Sequence, residues 1–149
     1  MGDEMAPRTS ARLSPAAEAW SLMSELFQAH AKPRWHAVSA ELELSPPQTM
    51  ALLRLDRDEG VPMHHLAGAL HCDTSNVTGI VDRLEDRGLV ERRVDPRDRR
   101  VKRLVLTDEG AALRELLAVR LSEPPEPLRQ LPAEDQRALR DLMRRVLRG

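Results

Sequence analysis

Two groups of side chains could do chemistry. The first is Ser75, Asn76, Thr78, Asp82, Arg83 and Arg87, on the polar side of a segment whose apolar residues, Val77, Ile80, Val81 and Leu84, recur at spacings of three and four. That is the period of one helical stripe. The second is Asp95-Pro-Arg-Asp-Arg-Arg100, a polar turn dense in guanidinium groups, with Lys102 close behind it. A helix carrying hydrogen-bonding side chains beside a cationic turn suits duplex DNA, whose phosphates attract the turn and whose base edges donate and accept.

The overall formal charge of −1 fits such a partner only when it is divided along the chain. Residues 1–82 hold six Lys/Arg against eleven Asp/Glu, residues 83–103 hold nine against five, and residues 104–149 hold eight against eight. A local cationic stripe is what phosphate binding requires, and an acidic remainder discourages adhesion by the wrong face.

The elements that must position these groups are legible from caps and periods. Gly88 follows the last periodic residue of the helix, where a left-handed C-cap belongs. Leu89–Val94 and Val101–Leu106 then read as the two strands of a hairpin around the arginine-rich turn. Upstream, Met63, Leu66, Ala67 and Leu70 form one face of another helix, with Ala67 and Gly68 allowing a second helix close. His71-Cys72-Asp73 is a tight turn, and Asp73 is placed to cap the next helix. Helix, turn, helix and hairpin make a winged helix-turn-helix, whose second helix enters the major groove.

Further helices are expected at both ends. Ala16, Ala19, Trp20, Met23, Leu26, Phe27 and His30 predict a helix over about residues 15–31, ended by Lys32-Pro33. Ser45-Pro46-Pro47-Gln48 resembles a capping box with proline at the first helical position, opening a helix through Arg54. Thr107 can cap a helix bearing Leu113, Leu116, Leu117 and Leu121, with two acids favoured in its first turn. Ser122-Glu-Pro-Pro-Glu-Pro127 interrupts it, and a last helix over roughly 133–148 carries Leu139, Leu142, Met143, Val146 and Leu147 on one stripe. These terminal stripes need to meet each other and a second subunit.

The 149 residues suit one domain, and 41% hydrophobic content suffices for a core. Tyrosine is absent, so aliphatic residues must build most of it. No stretch approaches the ~20 apolar residues of a membrane span, the N-terminus lacks signal-peptide character, and the single Cys72 excludes an internal disulfide framework. A soluble cytoplasmic protein is expected.

Taken together, Pro62–Leu70, Val77–Arg92 with its Leu-Glu-x-x-Gly-Leu-Val core, the Asp95–Arg100 wing and Leu104-Val-Leu-Thr-Asp-Glu-Gly110 resemble the MarR family of transcriptional regulators. The resemblance spans roughly residues 15–148. It implies a mainly α fold with a small β-hairpin wing, as one domain over 1–149. Residues 45–106 would form the DNA-binding winged helix-turn-helix, and 15–44 with 107–148 the dimerisation helices. It implies a homodimer, usually a repressor, bound to a pseudo-palindromic operator and commonly released by a small aromatic ligand. It places Ser75, Asn76 and Thr78 near base edges or phosphates, with Arg83 and Arg87 nearer the backbone. Arg100 would enter the minor groove, where narrow A·T tracts concentrate negative potential. Asp98 would pair with Arg100 and hold the turn, and Arg97 and Arg99 would reach phosphates.

In the same family an effector pocket lies between the dimer helices and the winged module, which makes Trp20, Phe27, His30, Trp35 and His36 candidates to stack on an aromatic ligand. At helical spacing such residues are more often core. His64, His65, His71 and Cys72 lie close in sequence, but adjacent histidines diverge by about 100° on a helix. No metal site or other cofactor is expected. Peroxide sensing, found in relatives with a cysteine in the first helix, is not expected from Cys72. No nucleophile, base and acid constellation or phosphate loop supports catalysis. A winged helix turned protein-interaction module remains the other class of function; it would have no use for Arg97, Arg99, Arg100 and Lys102 together.

Overall fold

The computed structural model describes residues 13–71 and 74–149. Helix α1 (Pro15–Leu26) starts at Ser14, whose hydroxyl accepts from the Ala17 N–H at 3.2 Å, with Pro15 in the first turn. The expected stop at Lys32-Pro33 does not occur. The chain instead widens into one π-helical turn, Phe27–Ala31, and continues as α2 (Lys32–Glu41). The Lys32 N–H donates to the Phe27 carbonyl, five residues back. Proline lacks an N–H and its ring crowds the carbonyl four residues before it; a wide turn just ahead of it re-spaces those carbonyls, so the helix passes Pro33 unbroken.

Helix α3 (Pro46–Arg54) carries the capping box that its sequence announces. The Ser45 hydroxyl accepts from the Gln48 N–H and the Gln48 side chain accepts from the Ser45 N–H. A short strand β1 (Val61–Pro62), which has no counterpart in the sequence reading, leads directly into α4 (Met63–Leu70). Then come α5 (Thr74–Asp86), β2 (Val90–Val94), β3 (Lys102–Leu106), α6 (Asp108–Ser122), the short α7 (Glu126–Arg129) and α8 (Ala133–Arg148). Cys72 and Asp73, and with them the expected cap of α5, lie outside the described residues.

The three strands form one antiparallel sheet in the order β1-β3-β2. Val90 faces Leu106, Arg92 faces Leu104, and Val61 faces Leu104 from the other side. The core gathers Leu52 and Leu55, Leu66, Val77, Val81 and Leu84, then Leu104 and Leu106, closed over by Leu117 of α6. Each such fully buried side chain favours folding by roughly 1.5–3 kcal/mol before entropy is counted. Ser39 and Thr49, also buried, satisfy each other: the Thr49 hydroxyl donates to Ser39 Oγ at 2.8 Å, and Ser39 donates to the Trp35 carbonyl at 2.7 Å.

Helices α1 and α8 contribute no buried residue. Trp20 and Leu22 on the first, Phe27 just after it, and Leu142, Val146 and Leu147 on the last, are exposed. Among the described residues nothing covers these apolar faces. No helix among the described residues is long and apolar enough to cross a membrane.

Candidate nucleic-acid interface

Helix α5 divides by face. Val77, Val81 and Leu84 are wholly buried and Ile80 partly so, while Ser75, Asn76, Thr78, Gly79, Asp82 and Arg83 stand exposed. Its end is fixed by Gly88, at φ +66. The Gly88 N–H bonds the Glu85 carbonyl at 2.8 Å and the Leu89 N–H bonds the Leu84 carbonyl at 2.9 Å. This is the Schellman pattern, accompanied by the expected apolar contact at its far end, since Leu84 and Leu89 are both buried. The close-packing glycine of the region is Gly110 and not Gly68. A Cβ on Gly68 would meet nothing within 4 Å, whereas one on Gly110 would lie 1.9 Å from the Leu89 carbonyl oxygen.

The wing projects from β2 and β3. At its tip Asp98 Oδ1 accepts from the Arg100 backbone N–H at 3.0 Å and from Arg100 Nε at 3.2 Å, with Arg100 Nη2 3.4 Å from Oδ2. The Arg100 guanidinium, followed by its backbone N–H, holds the Asp98 carboxyl below the ordinary carboxylate range. The Arg100 side chain is nevertheless 91% exposed, so the pairing aims it without hiding it. Arg97 and Arg99 flank it, also exposed.

The structure sorts the basic residues of this region into two sets. Arg92 pairs with Asp82 and Glu85 of α5, Arg93 with Glu91, Arg100 with Asp98 and Arg103 with Asp95. Arg87 donates to the carbonyls of Glu43, at 2.7 Å, and Leu42, at 3.2 Å, and so closes the C-terminal end of α2. Among the described residues, Arg83, Arg97, Arg99 and Lys102 make no ion pair. The sequence shows only a density of arginines; the pairings that turn Arg92 and Arg103 into struts arise from the packing of β2 beside α5 and from the register of the hairpin, and are invisible in it. Asp95 did carry a signal, because an Asp opening a turn can accept from the backbone two residues on. Its Oδ1 does accept from the Arg97 N–H, at 2.7 Å.

Of the aromatic set, Trp20 is 69% and Phe27 56% exposed. His36 is exposed, and His30 and Trp35 are half-buried. None belongs to the core, which corrects that alternative, and among the described residues no ring contact joins them. Phe27 and His30 lie in the π turn and Trp35 and His36 in the first turns of α2, while Trp20 sits about two turns earlier, in α1. The ring pair that does occur is His64 with His65, centroids 4.4 Å apart and edge to face, on the exposed side of α4.

With this geometry in place, the comparisons fall into one group. Residues 44–102 match the model of the MarR family. The HTH-type transcriptional regulator TtmR of Methylorubrum extorquens is 36% identical over 87 residues, which are 58% of this chain and 45% of that protein. The chain spans about half the length of the first curated relatives that it matches. Wild-type MarR from E. coli, in its apo form, superposes with a TM-score of 0.72 at 25% identity, covering 86% of this chain and 95% of that one. A mutant of S. aureus MepR bound to an oligodeoxyribonucleotide gives a TM-score of 0.65 at 24% identity over 86% and 95% of the two chains, a likeness of fold. The curated relatives are named as transcriptional regulators.

Proposed function

We propose, from the premise that this chain belongs through residues 44–102 to the MarR family of transcriptional regulators, that it binds a specific duplex DNA site as a homodimer and represses transcription there. The observation that carries the reading is the exposed polar face of α5 standing beside a wing whose unpaired cations point outward. Ser75, Asn76 and Thr78 sit at the start of α5, where short donors and acceptors can distinguish base pairs in the major groove. Arg83, Arg97, Arg99 and Lys102 supply phosphate contacts, which set register and affinity. Arg100, steered by Asp98, enters the adjacent minor groove. Arg87 would meet phosphate only with the N–H groups that its bonds to Glu43 and Leu42 leave over.

Dimerisation is supported by the uncovered faces of α1 and α8. A second copy covers them and places two α5 helices on successive half-sites about one turn, ~10 bp, apart. The aromatic residues around the π turn offer a stacking surface for a small aromatic effector. That part fails if phenolic and aromatic-acid compounds neither raise the melting temperature nor alter DNA binding.

The deciding measurement is fluorescence anisotropy on duplex from the region upstream of the protein's own gene, against random duplex, at two salt concentrations. Salt-sensitive binding that prefers the upstream DNA by about a hundredfold or more supports a specific regulator. Weak and equal binding there, and no duplex enriched from a genomic library, favours the protein-interaction reading.

A further inference from the structure

Asp95 is the one buried charged residue among those described, at 5% exposure. It lies at the root of the wing, where its backbone N–H donates to the Val101 carbonyl at 2.9 Å. Its carboxylate accepts from Arg103 Nε and from the Arg97 N–H. The same guanidinium reaches the other way, Arg103 Nη1 donating to the Gly60 carbonyl at 2.9 Å and the Glu59 carbonyl at 3.2 Å. Gly60 stands at φ +45, and a Cβ there would lie 3.0 Å from both Arg103 Cβ and Val105 Cγ1. The next residue, Val61, opens β1, which runs straight into α4. One guanidinium therefore ties the wing root to the backbone that enters the helix pair.

An ion pair with a buried carboxylate and a partly exposed guanidinium is a poor source of net stability, because desolvation of the carboxylate offsets much of the attraction. What such a pair fixes well is register. We infer that Asp95 and Arg103 are positioning residues for DNA recognition: they lock the angle between the wing and helices α4 and α5, so that Arg97, Arg99 and Arg100 arrive at the duplex together with Ser75 and Asn76. The inference rests on the DNA-binding reading above. Two contact surfaces on one rigid body act at high effective concentration. Loosening their joint weakens combined binding while leaving every contacting side chain in place. Arg103 acts from within the protein and does not touch DNA.

The test uses the full chain and the duplex that the wild type enriches from a random library. Asp95→Asn keeps the size and the acceptor for the Arg97 N–H but removes the charge. Arg103→Lys keeps the charge but replaces the fork that spans carboxylate and carbonyls with a single point donor. Each is measured alone and in a background lacking the side chains of Arg97, Arg99 and Arg100. The expected result is a loss of about tenfold or more for Asp95→Asn in the native background, with the active fraction unchanged in stoichiometric titration, and about twofold or less in the stripped background. Arg103→Lys follows the same pattern at smaller amplitude. Equal losses in both backgrounds, or none in either, overturn the inference.

Hydrogen exchange gives an independent reading. Asp95→Asn accelerates exchange over residues 95–103 while the amides of Val77–Leu84 keep their protection, and uniform acceleration counts against a positioning role. Failure of the wild type to enrich any duplex refutes the DNA-binding reading itself and is seen before any variant is made.

Discussion

Alanine at Gly110 and alanine at Gly68 are expected to move stability in opposite directions. At Gly110 the added carbon would lie 1.9 Å from the Leu89 carbonyl oxygen and 2.8 Å from its carbon. Non-bonded carbon contacts settle at about 3.5 Å, so the start of α6 must retreat from the start of β2 by more than an ångström. Two bonds span that gap, from the Thr107 N–H to the Leu89 carbonyl at 3.1 Å and from the Thr107 hydroxyl to the Gly88 carbonyl at 2.6 Å. Losing both costs about 2 kcal/mol at ~1 kcal/mol each, and the residual overpacking adds ~1–3 kcal/mol. A total of about 4 kcal/mol lowers the melting temperature by roughly 10 °C in a domain of this size. Gly68 is helical, exposed and without neighbours within 4 Å of the added carbon, so alanine there gains ~0.5–1 kcal/mol and about 2 °C. The assay is thermal unfolding followed by circular dichroism at one fixed protein concentration, because association makes the midpoint concentration-dependent. A Gly110→Ala melt within about 2 °C of the wild type, or a Gly68→Ala melt below it, refutes the packing described for this junction.

Other outcomes follow from the same geometry. Arg100→Ala should weaken DNA binding by ~1–3 kcal/mol, and Asn76→Ala should do so on the preferred duplex while sparing random DNA; equal losses on both duplexes for Asn76→Ala would remove it from base reading. The Asp95 carboxyl is held below the ordinary carboxylate range by the Arg103 guanidinium and then by the Arg97 N–H. Stability from a carboxyl depressed on folding is complete above about pH 4 and is lost as pH falls through the folded value. The melting difference between wild type and Asp95→Asn should therefore stay constant from about pH 7 to about pH 5 and shrink below about pH 4; a difference that grows in acid would contradict that sign. Leu142→Asp with Val146→Asp should convert a dimer to monomers in light scattering, and a wild type that is monomeric at micromolar concentration would dispose of the α8 interface.

The helix pair, hairpin and caps were legible because each rests on local rules. Gly88 had to follow the stripe of α5, and Ser45 with Gln48, and Thr107 with its acids, are satisfied within four residues of themselves. What escaped depends on distance. β1 is two residues long and exists because Val61 meets Leu104, a partner 43 positions away in sequence. The sorting of arginines into struts and exposed cations follows from which acid the packing of helix on strand and the hairpin register bring near, so Arg92 and Arg103 look no different in sequence from Arg99. Trp20 and Phe27 keep a helical period that reads as core, but a period says only that a face is apolar, and leaves open whether its cover comes from the same chain. The rule for regular helices makes Pro33 a stop, and the chain instead changes the helix.

That wide turn has a consequence for tolerance to length change. A regular helix advances about 100° per residue, and the π turn Phe27–Ala31 accommodates one residue beyond the regular count. It sets the phase between two faces of a continuous rod: the face of α2 that buries Val38 and Ser39, and the face of α1 that presents Trp20 outward. Deleting a single residue from Gln28 to Ala31 would let the rod wind regularly and would turn the whole of α1 by about a quarter of a revolution. The winged module would remain intact, while the exposed apolar face of α1 would point elsewhere. Substitutions in this turn are therefore easier to accommodate than any change in its length.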